Sequence, residues 1–268
     1  TGEVCGEMVF NTSMTGYQEI LTDPSYSGQM VCMTYPHIGN YGVTPEDDES
    51  NQPHVRAFLM KACCPRPSNL RATASLPEYL QEHGVLGVEG IETRELTRRV
   101  RIHGAMNAAV STEDLDPESL VAKARAWEGL EGADLAKGVT CESPYVVEPD
   151  GAARFHVVAF DYGIKRNILR RLAAEGCRIT VVPATTSADE ALAHEPDGIF
   201  LSNGPGDPRP LSYAIETVRE LIQRAERPIF GICLGHEILG LALGAEIYKL
   251  KFGHRGANQP IKEMSTGR

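Results

Sequence analysis

The chain has 268 residues, 42% of them hydrophobic, and carries a formal net charge of −10. That length supports a sizeable core and two domains more readily than one, and the acidic balance argues against a nucleic acid, whose phosphates favour a basic face. No apolar run approaches the roughly 20 residues a membrane-spanning helix needs, and seven cysteines without a C-x-x-C pair read as a reduced, cytosolic chain with neither a disulfide framework nor a metal site.

In chain order, "TGEVCGEMVF" lacks a charged-then-apolar signal segment and an initiator Met, so the natural start is expected to lie upstream. "GEMVFNTSM" reads as a strand. "PEDDES" (45–50) is acidic enough for an exposed, solvated loop. "LPEYLQEHG", "ETRELTRRVRIHG" and "PESLVAKARAWEG" read as helices ending near glycines. The basic face of the second (Arg94, Arg98, Arg99, Arg101) suits an ordinary solvated helix, with an acidic partner as the alternative. Around "CESPYVVEPDGAARF" the apolar periodicity fades and Pro144, Pro149 and Gly151 suit a linker. The expected division is therefore a mixed α/β first domain over 1–145, a linker over 146–154 and a second domain over 155–268.

The second domain alternates clearly. "FHVVAFDYG", "RITVVPA", "GIFLS" and "PIFGI" read as strands. Between and after them, "IKRNILRRLAAEG", "SADEALAHEP" capped by Ser187, "SYAIETVRELIQRAE" and "HEILGLALG" read as helices. Strand–helix alternation with short links predicts parallel strands with helices on both faces. Such sheets carry their sites in loops beyond the carboxyl ends of the strands. Two loops there are unusual: "SNGPGDP" (202–208) and "GICLG" (231–235).

Gly231-Ile232-Cys233-Leu234-Gly235 has the G-x-nucleophile-x-G spacing of a strand-to-helix elbow, in which a side chain at either flank would collide. The elbow sets Cys233 at a helix N-terminus, where aligned peptide dipoles are expected to lower the thiol pKa. The backbone N–H of Leu234 is placed to stabilise an oxyanion, and Gly204 or Gly206 can supply a second donor. Cys5, Cys32, Cys63, Cys64, Cys141 and Cys177 read instead as inert packing.

"GICLGHE" opposite "LSNGPGDP" resembles the class I, triad-type glutamine amidotransferases. "GEMVFNTSMTGYQEILTDPSYSGQ", "TYPHIGNYG", "GIETRELTRRVRIHGAMNA", "FDYGIKRNILRRL" and "KFGHRGANQP" extend the likeness over nearly the whole chain, to the glutaminase small subunits of carbamoyl-phosphate synthase. The resemblance implies a flavodoxin-like, mostly parallel second domain behind the mixed first one. It also implies a cytoplasmic enzyme subunit serving arginine and pyrimidine biosynthesis. Cys233 would form a γ-glutamyl thioester, Leu234 would give an oxyanion N–H, and Gly204, Gly206 and Glu237 would line L-glutamine. Ser25, in "TDPSYS", would touch glutamine from the first domain; on the residues alone it reads as a hydroxyl satisfying a proline turn. The implied partner is a large synthetase subunit that uses bicarbonate and carries ATP and Mg, because this chain has no G-x-x-x-x-G-K-[ST] phosphate loop and no cofactor of its own is expected.

Two departures qualify the likeness. The family's histidine and carboxylate come from an H-x-E segment that would fall beyond Arg268, so the chain is expected to be truncated at both ends, with an unpaired sheet edge. His236, in the first helical turn, reads as capping or packing. His194 and His254 read as a helix end and a loop residue, none of them catalytic. Secondly, Glu237 stands where the family has Gln. An ionised glutamate only accepts hydrogen bonds and disfavours a nearby thiolate, so weakened glutamine use is expected. A catalytically impaired assembly module of the same fold is the alternative, and an amidotransferase subunit of another synthase a further one.

Overall fold

The computed structural model describes residues 2–224, 226–253, 255 and 260–268. The first domain holds β1 (Glu3–Asn11), α1 (Tyr17–Thr22), β2 (Gln29–Met33), β3 (His37–Ile38), β4 (Ala57–Leu59), β5 (Ala62–Cys63), α2 (Leu76–Glu82), β6 (Leu86–Val88), α3 (Thr93–His103), β7 (Met106–Ser111) and α4 (Pro117–Ala126). Five of these strands form one sheet in the order β6-β4-β2-β1-β7, parallel except for β7, and β3 pairs with β5 beside it. The two-residue period of a strand sorts its side chains cleanly. Val31 and Met33 face a core with Tyr17, Leu21 and Leu76, whereas Met30 and Cys32 face one with Val100 of α3. The basic residues of α3 are exposed, and Arg98 and Arg99 pair with Glu95 on the same helix.

The second domain follows with β8 (Tyr145–Val147), β9 (Phe155–Asp161), α5 (Arg166–Ala174), β10 (Cys177–Pro183), α6 (Ala188–Leu192), β11 (Gly198–Leu201), α7 (Ser212–Arg224), β12 (Ile229–Gly231) and α8 (Leu234–Ala242). Its sheet runs β12-β11-β9-β10-β8, with parallel pairing throughout except β8. Leu169 of α5 packs with Ile179, Val181 and Phe200 on one face; Ala188 of α6, Val218 of α7 and Ile238 of α8 pack with Val158, Phe160 and Leu201 on the other. The expected parallel sheet with helices on both faces is what forms. Ser187 caps α6 through a reciprocal box with Glu190, as its spacing implied. At the open edge β12 leaves Phe230 64% exposed.

Two expectations need correction. The span read as a linker from 146 is not wholly irregular, because Tyr145–Val147 adds antiparallel to β10 as an edge strand. Two consecutive β-branched residues between prolines suffice for three residues of pairing. The acidic loop is not simply solvated either. Glu49 is 8% exposed, and its carboxylate accepts the N–H of Asn167 at 2.8 Å, at the start of α5. Its backbone carbonyl accepts the N–H of Arg166 at 2.8 Å, while the carbonyls of Asp48 and Glu46 receive the guanidinium groups of Arg166 and Arg170. The N-cap of α5, Lys165, offers no side-chain acceptor, so the orphan amides of that helix are met from the other domain.

Candidate active site

The chain turns from β12 into α8 within two residues, and Cys233 takes the strain. Its φ of 52° and ψ of −113° lie in a region that side chains other than glycine avoid. The flanking glycines are obligatory. A Cβ on Gly231 would sit 2.6 Å from the carbonyl carbon of Gly235 and the nitrogen of His236, and one on Gly235 would sit 2.2 Å from the carbonyl oxygen of Leu201. The turn is bolted to β11, since the N–H of Ile232 donates to the Leu201 carbonyl at 3.0 Å and that of Gly235 to the Ser202 carbonyl at 2.9 Å. Cys233 reaches solvent, the most open of the seven free cysteines; Cys32 and Cys177 are buried and the other four are half-buried.

The thiol does not behave as the helix dipole alone would have it. Desolvation by the surrounding protein, and then the carboxylate of Glu237 one turn along α8, push its pKa up rather than down. The backbone amide of Leu234 and the Lys165 ammonium act the other way and offset part of that rise. Glu237 is in turn pushed above the usual carboxylate range by its own desolvation and by Asp207.

The glycine loop lies against this elbow. A Cβ on Gly204 would come within 2.2 Å of the Tyr162 carbonyl oxygen and 2.7 Å of the Leu234 side chain, so only glycine lets the loop reach the residue after the nucleophile. Gly206 is exposed with φ +84°, and it presents backbone towards Leu135. Cys233, Leu234, Glu237 and Gly204 are thus drawn together at the carboxyl ends of β11 and β12, with Gly206 two residues further along the loop beside Leu135.

Ser25 joins them across the domain boundary. Its hydroxyl accepts the side-chain N–H of Asn203 at 2.9 Å, and its backbone N–H donates to Asp23 Oδ1 at 2.9 Å. Asp23 also faces the ammonium of Lys165 at 3.5 Å. Asn203, Asp23 and Lys165 were missed in the sequence. Asn203 stands inside the loop already singled out, and a polar residue wedged between a buried strand end and two glycines was the available signal. His236 is exposed in the first turn of α8, and His194 is exposed beyond α6. His254 lies outside the described residues. No histidine among the described residues hydrogen-bonds Cys233, and no group of three or more metal-ligating side chains gathers among them. No helix of the described residues is long and apolar enough to cross a membrane.

Comparison with known proteins meets this geometry. Residues 1–110 match the family model for the carbamoyl-phosphate synthase small chain, CPSase domain, and residues 158–268 match that for glutamine amidotransferase class-I. The chain is 56% identical to the carbamoyl phosphate synthase small chain of Syntrophotalea carbinolica, over 99% of its own length and 73% of the relative's. It is 58% identical to the small chain of Chlorobaculum tepidum over 98% and 72%. The small chain of Thermosynechococcus vestitus is 56% identical over 97% and 71%.

Proposed function

The chain belongs to the carbamoyl-phosphate synthase small-chain family, and from that premise we propose that Cys233 is the nucleophile of a glutaminase half-site built between the two domains. The Cys233 thiolate attacks the carboxamide carbon of L-glutamine. The oxyanion that forms is held by the N–H of Leu234 and one from Gly204 or Gly206. Collapse breaks the C–N bond, releases ammonia and leaves a γ-glutamyl thioester, which water converts to glutamate with return of the thiol. The proton given up by the sulfur must reach the departing nitrogen, and that transfer needs a base which the described residues do not supply.

Ammonia released here passes to a large synthetase chain that brings ATP, Mg and bicarbonate. Ser25 contacts the glutamine from the first domain, and Glu237 faces its polar end. The observation that carries the reading is Cys233 itself: an exposed residue held in a strained turn, with the side chain of the following Leu234 packed against a glycine loop. The test is glutamate release and covalent capture of Cys233 by a diazoketone analogue of glutamine, in the protein assembled with its large chain. Stoichiometric capture is expected. An uncaptured cysteine that still reacts with iodoacetamide would remove the glutamine pocket from the account.

One observation favours a second reading, an assembly module with reduced turnover. Glu237 raises the thiol pKa and lacks the donors of an amide. Replacing it with glutamine separates the two: faster glutamate release points to impaired catalysis in the parent, and a slower variant shows that the carboxylate serves the reaction.

A further inference from the structure

Asn203 is 2% exposed at the seam between the domains, and its carboxamide is fully engaged. Nδ2 donates to Ser25 Oγ at 2.9 Å and to the Gly163 carbonyl at 2.9 Å, and approaches Asp23 Oδ1 at 3.4 Å. Oδ1 accepts the N–H of Lys165 at 3.1 Å. A short side chain with two donors and an acceptor in one plane is what this junction needs. Aspartate has the shape without the donors, and glutamine has the group one methylene too far out.

The direction of one of these bonds matters most. Because Ser25 Oγ accepts from Asn203, the hydroxyl hydrogen of Ser25 is left to donate elsewhere. The backbone of Asn203 leads directly into Gly204, so the same residue sets the loop and the hydroxyl opposite it. Ser202 supports this from behind. Its Oγ accepts the N–H of Tyr162 at 2.9 Å and its carbonyl accepts the N–H of Gly235 in the elbow.

We propose that Asn203 is a positioning residue for glutamine, fixing Ser25 of the first domain as a hydrogen-bond donor to the substrate and holding it at a set distance from the glycine loop of the second. The proposal rests on the glutaminase reading of this pocket. It concerns binding rather than bond cleavage, since Asn203 touches neither Cys233 nor the reacting carbonyl.

The test uses the assembled enzyme with Asn203→Asp, Ser25→Ala and the double variant. Asn203→Asp should raise the KM for glutamine about tenfold, the loss of a buried, directed hydrogen bond. Its kcat and the rate of Cys233 alkylation by iodoacetamide should stay within about twofold of the parent. Because Asn203 acts through Ser25, the double variant should lie within about twofold of the more affected single one. If Asn203→Asp melts far below the parent, Asn203→Ser relieves the charge against Asp23 and is read in the same way. A KM that does not move, effects that multiply in the double variant, or alkylation that falls together with KM would each overturn the proposal. A parent that neither releases glutamate nor reacts with the diazoketone sinks the glutaminase reading and this one together; a working parent with an unmoved variant sinks this one alone.

Discussion

The elbow at Cys233 and the acidic loop before Asn51 do opposite things with backbone. The elbow holds a residue in a costly conformation and enforces it within a few residues, through two glycines and two amide bonds to the end of β11. The loop relieves a cost, lending Glu49 to amides that α5 cannot satisfy by itself. One domain therefore supplies the rigidity of the nucleophile, and contacts between domains supply its alignment with Ser25. Precision at the sulfur and precision at the substrate have separate structural sources, and they should fail separately.

The severest break is at the sulfur. Cys233→Ala should lower glutamate release by at least about 10³-fold while leaving the melting transition in place, because the nucleophile is lost and the packing is not. Residual release above a hundredth of the parent rate would move the chemistry elsewhere. Next comes the enforcement of the turn. Gly235→Ala sets a methyl against the Leu201 carbonyl and should cost about 3 kcal/mol, read from the denaturant midpoint. A cost below about 1 kcal/mol would mean that the elbow is free to relax.

The acidic loop should respond more mildly. Glu49→Ala removes the acceptor of the Asn167 amide and should cost about 1–2 kcal/mol, with Glu49→Gln costing less because its carbonyl oxygen still accepts. Equal costs for the two would assign the effect to charge alone. The smallest effect concerns pH. A thiol raised by desolvation and by Glu237 is mostly protonated at neutrality, so alkylation of Cys233 should keep climbing with pH past the roughly 8.5 of an ordinary cysteine. Glu237→Gln removes a negative charge, lowers that pKa and moves the profile to lower pH, with a gain of about threefold at pH 7. An unmoved profile would disconnect Glu237 from the sulfur.

What could be read in the sequence followed the range of the forces involved. The elbow, the Ser187 cap and the alternation of the second domain depend on neighbours within a few residues, and they could be found there. Asn203 and Ser25 are 178 residues apart in the chain, and Glu49 and Asn167 are 118 apart. Nothing local marks Glu49 among the four acidic residues of its loop as the one that leaves water. The thiol pKa was half legible for a related reason: the helix dipole and the opposing charge of Glu237 can be read in the strand–turn–helix pattern, whereas desolvation, the largest cause of the rise, exists only after the chain has folded around the sulfur.

The first turn of α5 is finished by an acid that belongs to the neighbouring fold. A glutaminase head grafted onto a foreign leader would arrive with bare amides at that turn and with Asn203 facing no serine. Chimeras between amidotransferases should therefore be more stable where the donor of the leading domain carries an acceptor side chain at the matching place, which makes that single position a compatibility mark between the halves.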